Sequence, residues 1–290
     1  TRMGGHFYHA VSMVQSRGSV LGRWGWWRAW RERRHPHRAG AGVVERFLAW
    51  LAPVRIDVRA LLLKDLRLFW RDTTQWGQTV VLFGLLGVYF LNLRHFSQQM
   101  SSPFWMFVVS YLNLGACALN LATLTTRFVY PQFSLEGKRL WIVGLAPLGL
   151  PRLLLAKFAL AAVLSLTITV SLIFLSCRML SMEWDRTFYL AGAIAVMAFT
   201  LSGLAVGLGA LYPNFKEDNP SKIVSGFGGT FCLVISFLYI VGAVALLAVG
   251  SPWTRYGDEP GAFVGWCWLA FLALSILVGT FNSVLMMFAL

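Results

Sequence analysis

The stretch FSLEGKRLWIVGLAPLGLPR, residues 133–152, decides how the rest of the chain is divided. Charged side chains lie near its start, and an apolar run follows. Two prolines interrupt the second half, and an arginine ends the stretch. Long apolar stretches lie on both sides of it, at 104–126 and 153–175. A helix needs about 20 mostly apolar residues to cross a bilayer, so both neighbours qualify as membrane spans. The quoted stretch is therefore predicted to be a joint that connects two spans at one membrane surface.

The residue order within this joint predicts a short helix. Ser134 is a suitable N-cap for a helix that begins at the next residue, and Glu136 then lies near the positive end of the helix dipole. The charged first turn and the oily remainder suit a helix that enters the membrane interface from the cytoplasm. Pro147 is predicted to end it. Pro151 suits the first turn of the next span, which Arg152 and Lys157 are predicted to anchor at the headgroups.

Composition places the whole chain in the membrane class. Of its 290 residues, 57% are hydrophobic and only 13% are charged, whereas soluble domains usually carry about 25% charged residues. The sequence predicts an all-α polytopic membrane protein with six transmembrane helices, preceded by an amphipathic interfacial helix. The six predicted spans are 76–93, 104–126, 153–175, 188–211, 223–249 and 263–288. They form one transmembrane domain, 76–290, with cytoplasmic loops at 127–152 and 212–222.

Basic residues determine the predicted orientation. More than half of the 25 lysines and arginines precede the first span, and cytoplasmic segments carry an excess of such residues. The N-terminus is therefore predicted to be cytoplasmic, and six spans return the C-terminus to the same side. The loops at 127–152 and 212–222 then also face the cytoplasm.

The first 53 residues are predicted to form a basic, tryptophan-rich cytoplasmic linker. Its segment RWGWWRAWRERRHPHR, residues 23–38, interleaves tryptophan with arginine. Such a mixture can hold single-stranded nucleic acid, or it can lie at lipid headgroups. Because the chain is otherwise embedded in a membrane, lipid is the favoured partner and no nucleic acid is expected.

Residues 54–75 are predicted to form the amphipathic helix. In VRALLLKDLRLFWRD, residues 58–72, apolar side chains recur at spacings of three and four. Lys64, Arg67 and Arg71 fall on the opposite side and are predicted to contact the inner leaflet. The alternative is a helix that packs on a soluble domain.

The sequence lacks the common motifs of catalysis and of nucleotide binding. It contains no HExxH, no GxSxG and no GxxxxGK[ST]. Its four cysteines are far apart and form no ligand cluster, so no metal site is predicted. The predicted spans hold almost no ionisable side chain in their middles, which argues against ion-coupled transport. If the protein performs work, we expect the energy to come from a partner.

Polar uncharged side chains do occur within the predicted spans. Asn113, Asn120 and Thr123 lie on the second span, and Thr167 and Ser171 lie on the third. They could line a translocation pathway, or they could form hydrogen bonds between helices. Both interpretations stay open at the level of sequence.

At the quoted joint the sequence resembles a known family. Residues 134–158 are similar to the cytoplasmic loop of ABC-2-type permeases, the membrane subunits of ATP-binding-cassette exporters. In that family an S-x-E-G-x-x-x-W-x-L-x-x-x-P pattern is followed by a basic stretch and an A-K. The matching residues here are Ser134, Glu136, Gly137, Trp141, Pro147, Arg152, Ala156 and Lys157. The basic stretch is thin, with a single arginine. Residues 211–226 resemble the second cytoplasmic loop of the family, and the resemblance covers about residues 55–290.

The resemblance implies a mechanism and partners. It implies a permease in the cytoplasmic membrane of a bacterium, which moves a substrate with ATP hydrolysed by a separate cytoplasmic ATPase subunit. ATP and magnesium would then be bound by the partner, and no cofactor by this chain. A second permease half, fused or from a second copy, would complete the pathway, and the chain is expected to be the C-terminal half of a long bacterial form. Contact with the ATPase is expected of Glu136, Gly137, Lys138, Arg139, Trp141, Asn214, Lys216, Glu217 and Asp218. The alternatives are a polytopic membrane enzyme and a transporter that ATP does not drive.

Overall fold

The computed structural model of the chain describes residues 103–137, 150–217, 219–253 and 260–289, together with scattered positions between 77 and 89. The backbone alone is described at residues 103, 150–152, 260–263 and 281–289. Outside the described residues lie the predicted linker, the predicted amphipathic helix with Lys64, Arg67 and Arg71, and residues 138–149 of the joint.

All regular structure in the described part of the chain is helical, as the sequence predicts. The scattered positions between 77 and 89 are helical and fall within the first predicted span. The remaining elements are α1 (Pro103–Leu124), a π-helical turn (Thr125–Val129), α2 (Gln132–Glu136), α3 (Leu150–Met179), α4 (Trp184–Leu211), α5 (Pro220–Val224), α6 (Phe227–Val249) and α7 (Pro260–Ala289).

Four of the helical segments are long and apolar enough to cross a membrane. These segments are Phe104–Glu136, Leu153–Met179, Trp184–Leu211 and Phe227–Val249. They correspond to the second, third, fourth and fifth predicted spans, and their ends differ from the prediction by a few residues except where α1 continues into the joint. Helix α7 covers the sixth predicted span, and its described apolar part, Val264–Thr280, is shorter than a full span. The count of six spans stays a prediction.

Helix α4 lies at the centre of the described bundle. It packs against α1, α3, α6 and α7. Side chains such as Leu190, Ile194, Met197 and Leu201 along it are almost completely buried. Alanines and glycines between them allow the neighbouring helices to approach closely, which favours association of helices in an apolar solvent. By contrast, only 28% of the apolar window of α3 and 33% of that of α6 is buried, so these two helices present broad faces to their surroundings.

The chain leaves α1 later than the sequence predicts. The second span was expected to end at residue 126, but the helix continues as a π-helical turn over Thr125–Val129. The Thr125 hydroxyl donates to the carbonyl oxygens of Leu121 and Ala122, and the Tyr130 amide donates to the Thr125 carbonyl at 3.0 Å. These bonds satisfy carbonyl groups that a wider turn would otherwise leave unpaired. The backbone therefore reaches the joint without losing its hydrogen bonds.

Candidate functional site

The two predicted cytoplasmic loops are in direct contact. The Ser134 hydroxyl accepts a hydrogen bond from the Asn214 amide at 3.0 Å. The Tyr130 hydroxyl donates to the Tyr212 carbonyl oxygen at 3.1 Å. We call residues 130–137 and 212–217 together the loop platform. Its two halves come from the end of α1 and the end of α4, so the platform joins two helices that are far apart in sequence.

The predicted helix of the joint exists, but its capping differs from the expectation. Helix α2 runs over Gln132–Glu136, and its N-cap position is Pro131, which makes no side-chain capping bond. The prediction that Ser134 caps a helix beginning at residue 135 is therefore wrong. The fixed φ of proline favours a helical start, and Pro131 has φ −75°. Ser134 thus lies inside the helix, where its hydroxyl is directed to the second loop.

Helix α2 is joined to α3 by a buried ion pair. A Glu136 carboxylate oxygen lies 3.2 Å from the Lys157 ammonium, and these side chains are only 9% and 1% exposed. The ammonium also lies 5.7 Å from the centre of the Phe133 ring, at a distance suited to a cation–π contact. The predictions that Lys157 anchors α3 at the headgroups and that Glu136 lies in a wet first turn are wrong. Charged side chains are buried in proteins when they are paired with an opposite charge, and Glu136 and Lys157 form such a pair.

Glycines allow the platform to pack closely against its neighbours. A Cβ at Gly137 would collide with the Phe215 ring, and one at Gly228 would collide with the Tyr130 hydroxyl. A Cβ at Gly209 would lie 2.5 Å from the Tyr130 carbonyl oxygen. The platform is therefore seated on α4 and α6 at positions where only glycine fits without rearrangement.

The second loop is structured by its own polar side chains. The Asn214 side-chain oxygen accepts from the Lys216 amide at 3.2 Å, and the Asn219 side-chain oxygen accepts from the Ser221 amide at 3.0 Å. Pro220 follows as the first residue of α5, a position that suits proline. Glu217 and Lys222 form an exposed ion pair at 3.6 Å, which contributes little to stability.

Several predicted contact residues meet on the platform, and others cannot be placed. Asn214, Lys216 and Glu217 lie on its second half, where Lys216 is exposed. Glu136 and Gly137 lie on its first half. Lys138, Arg139, Trp141 and Asp218 lie outside the described residues. Sequence reasoning missed the aromatic members of the platform, of which Tyr212 is 42% exposed and Phe215 is 45% exposed.

The five predicted pathway residues are not brought together. Asn113 and Asn120 are buried, and the Asn113 side-chain oxygen accepts from the Ser176 hydroxyl of α3. Thr123, Thr167 and Ser171 each donate their hydroxyl to the carbonyl one turn earlier in their own helix. Thr167 and Ser171 are exposed on the outer face of α3. Asn113 thus takes part in a hydrogen bond between helices, while Thr167 and Ser171 face away from the described core.

Metal-ligating side chains do not cluster in the described part of the chain. No group of three or more His, Cys, Asp or Glu residues there could hold a metal ion. The four cysteines are unpaired and buried.

A family model described as "Putative ATP-binding cassette" matches residues 1–287. The chain belongs to this ATP-binding-cassette family. No curated protein and no solved structure matches it. Membership of an ATP-binding-cassette family together with four membrane-crossing helices fits a membrane component of an ATP-binding-cassette system.

Proposed function

We propose that the chain is the permease of an ATP-binding-cassette exporter, built as six spans that follow an interfacial amphipathic helix at 54–75. It would lie in the inner membrane of a bacterium with both termini in the cytoplasm. A second permease half would complete the pathway, with lipid around both. Residues 1–53 would then be the basic linker that precedes this half. Membership of the ATP-binding-cassette family and the four apolar helices support this proposal.

The loop platform is the observation that carries the proposal. A force on α2 is delivered to α3 through the Glu136–Lys157 pair and to the end of α4 through the Ser134–Asn214 bond. The second loop leads directly into α5 and α6. A partner that moves the platform would therefore move three long helices as packed bodies, which is how rigid elements transmit a conformational change.

The composition of the platform suits a protein partner. The second loop exposes Tyr212, Phe215 and Lys216, a mixture of charge and aromatic surface. Protein interfaces are enriched in aromatic side chains at their centres and carry charges at their rims. Lys138, Arg139 and Trp141 continue this character in the sequence of the first loop. Glu136 and Gly137, which pack inward, would act as positioning residues for the contact.

The partner must supply the energy. Because the sequence has no GxxxxGK[ST] motif, ATP and magnesium would be bound by a separate cytoplasmic ATPase subunit. The absence of ionisable side chains from the middles of the spans supports ATP rather than an ion gradient as the source.

Purification of the affinity-tagged chain from its native membrane in mild detergent tests the proposal. We expect a second protein with a P-loop to co-purify in stoichiometric amount, and the complex to hydrolyse ATP with inhibition by vanadate. The double variant Phe215→Ser/Lys216→Glu should lose most of this partner, because it removes an exposed aromatic side chain and reverses an exposed charge on the platform. An active chain that purifies alone would contradict the proposal.

The matched control lies at the other end of the bundle. Phe188 is 60% exposed and lies near the start of α4, at the end of that helix away from the loop platform. Phe188→Ser should therefore leave the amount of co-purified ATPase unchanged. Equal loss in the control would show that exposed aromatic residues matter only for general stability, and the platform would not be the contact.

A further inference from the structure

A small pocket lies at the end of the bundle opposite the loop platform. It is lined by side chains from α1, from the first two turns of α4 and from the turn after α6: Phe107, Ser110, Tyr111, Arg186, Leu190 and Trp253. Helices α1 and α4 begin at this end and α6 ends there. The pocket therefore lies about one bilayer thickness from the platform, since each of these helices is long enough to span.

Two polar groups of the pocket lack hydrogen-bond partners. The Arg186 Nε and the Tyr111 hydroxyl are buried and make no hydrogen bond within the described residues. Tyr111 as a whole is only 6% exposed. Tyr189 and Ser251 lie beside its hydroxyl, without the geometry of a hydrogen bond. Buried polar groups are nearly always satisfied, so these two point to a ligand that the chain itself does not supply.

Both unpaired groups of the pocket can donate a hydrogen bond. An arginine Nε–H can only donate, and the unpaired tyrosine hydroxyl has a hydrogen to give. The Ser110 hydroxyl already donates its hydrogen to the Met106 carbonyl at 2.7 Å. The remaining walls, Phe107, Leu190 and Trp253, are mostly apolar. The Ser110 oxygen can accept a hydrogen bond, but an anionic oxygen needs only the two donors.

The size and charge of the pocket narrow the ligand further. Its cavity volume of about 10 Å³ has room for about one water-sized atom. The Arg186 guanidinium lies 4.9 Å from the centre of the Trp253 ring, and no ion pair joins it to a carboxylate among the described residues, including its exposed neighbours Glu183 and Asp185. One oxygen of a larger anion therefore fits inside, while the rest of that anion stays at the mouth.

The surroundings of the pocket are typical of the headgroup level of a membrane. A second arginine–tryptophan pair lies at the same end of the bundle, where the Arg178 guanidinium is 3.7 Å from the centre of the exposed Trp184 ring. Tryptophan is enriched where a membrane protein meets lipid headgroups, and arginine pairs readily with phosphate. The anion most available at this level is the phosphate of a phospholipid.

We propose that this pocket binds one phosphate oxygen of a membrane phospholipid, with Arg186 and Tyr111 as its donors. The lipid would be held at the end of the bundle where α1, α4 and α6 meet. It would fix the relative position of these three helices at the surface away from the loop platform. This inference does not depend on an ATPase partner, because it rests only on the pocket and its donors.

Native mass spectrometry of the delipidated full chain tests the proposal with three probes: palmitoyl-oleoyl phosphatidylglycerol, the diacylglycerol with the same chains, and inorganic phosphate. We expect one tight site for the phospholipid and none for the diacylglycerol or for inorganic phosphate. Loss of a hydrogen bond to a charged group should weaken that site about tenfold or more in Arg186→Gln and several-fold in Tyr111→Phe. Arg178→Gln, which removes the other arginine–tryptophan pair, should leave the site unchanged, and Arg186→Lys should restore part of the affinity.

Several outcomes would overturn the proposal. Equal binding of the diacylglycerol would show that the acyl chains alone are recognised. Inorganic phosphate binding as tightly as the phospholipid would make the site one for a free anion. An equal loss in Arg178→Gln would reduce the effect to general attraction at the interface. Should Arg186→Gln fail to fold, as judged by its melting temperature, unchanged affinity in Tyr111→Phe would overturn the proposal by itself.

Discussion

The Glu136 carboxylate of α2 and the Lys157 ammonium of α3 lie 3.2 Å apart, and both side chains are buried. The pair joins the short helix α2, which follows α1, to the first turns of α3. Residues 137–156 separate the two charges in sequence, whereas the ion pair joins α2 and α3 directly. It is also the reason that the platform and α3 are expected to move as one body.

Neutralising one member of the pair should destabilise the fold more than removing both. Lys157→Met leaves a buried carboxylate without its cation, and we expect a loss of about 3 kcal/mol in the free energy of unfolding. The double variant Glu136→Leu/Lys157→Met should recover at least half of this loss, because apolar replacement of a buried pair is often tolerated. Equilibrium unfolding in detergent measures both values. Losses that simply add up in the double variant would contradict the coupling of the two charges.

Removal of the Ser134 hydroxyl should loosen the second loop. Ser134→Ala leaves the Asn214 amide without its acceptor at a cost of about 0.5–1.5 kcal/mol, so hydrogen exchange of that amide should become about three- to tenfold faster. Ser225→Ala is the control, because the Ser225 hydroxyl is exposed and donates only to the Lys222 carbonyl nearby. Unchanged exchange at Asn214 would show that the bond does not hold the two halves of the platform together.

Two glycine substitutions should have opposite effects. In Gly209→Ala the new methyl group would lie 2.5 Å from the Tyr130 carbonyl oxygen. Because this oxygen belongs to the backbone and cannot move aside as a side chain can, we expect the free energy of unfolding to fall by about 1–3 kcal/mol. In Gly115→Ala, within α1, nothing lies within 4 Å of the new group, so stability should be unchanged or rise by up to about 1 kcal/mol. Melting temperatures of the two variants compare them directly. A Gly209→Ala protein as stable as the Gly115→Ala protein would contradict the close approach.

Thiol labelling should separate the predicted pathway residues into two groups. The four native cysteines are buried, so the background reaction with a membrane-impermeant thiol reagent should be low. If the exposed face of α3 and the proposed second permease half together line an aqueous pathway, we expect Thr167→Cys and Ser171→Cys to react with the reagent in the assembled complex. Asn113→Cys should not react, because the residue is fully buried. Faster labelling at residue 113 than at residue 167 would place the path inside the described bundle instead.

The apolar helices could be predicted from sequence because their cause is local. An apolar run such as 227–249 has one stable solution in a membrane, and the helix over Phe227–Val249 follows it closely. The observed helix begins four residues after the predicted start at residue 223. Asn219 and Pro220 begin a separate short helix, and Gly226 is extended and separates that helix from α6. Boundaries were less accurate wherever such capping choices compete.

The centre of the candidate site could not be predicted in the same way. The sequence predicts that Glu136 and Lys157 each lie at a water-exposed surface, because a single sequence gives no reason to pair two charges across a long connection. Serine is a residue type that favours the N-cap, but the helix starts about one turn earlier, at Pro131. The Ser134 hydroxyl is therefore available to accept a hydrogen bond from the Asn214 amide. The contact between the two loops thus depends on tertiary packing. That both loops contact an ATPase stays a prediction.

Exchanging the two charges tests the central claim most directly. The purified complex of the full chain with the proposed ATPase partner would be assayed for vanadate-sensitive ATP hydrolysis with Glu136→Lys, with Lys157→Glu and with both substitutions together. If the buried pair couples the loop platform to α3, each single variant should lose most of the hydrolysis that the chain stimulates, because two like charges replace the buried ion pair. The double variant should recover at least half of it. A double variant that is folded, retains the ATPase and yet hydrolyses ATP no faster than the single variants would contradict the account.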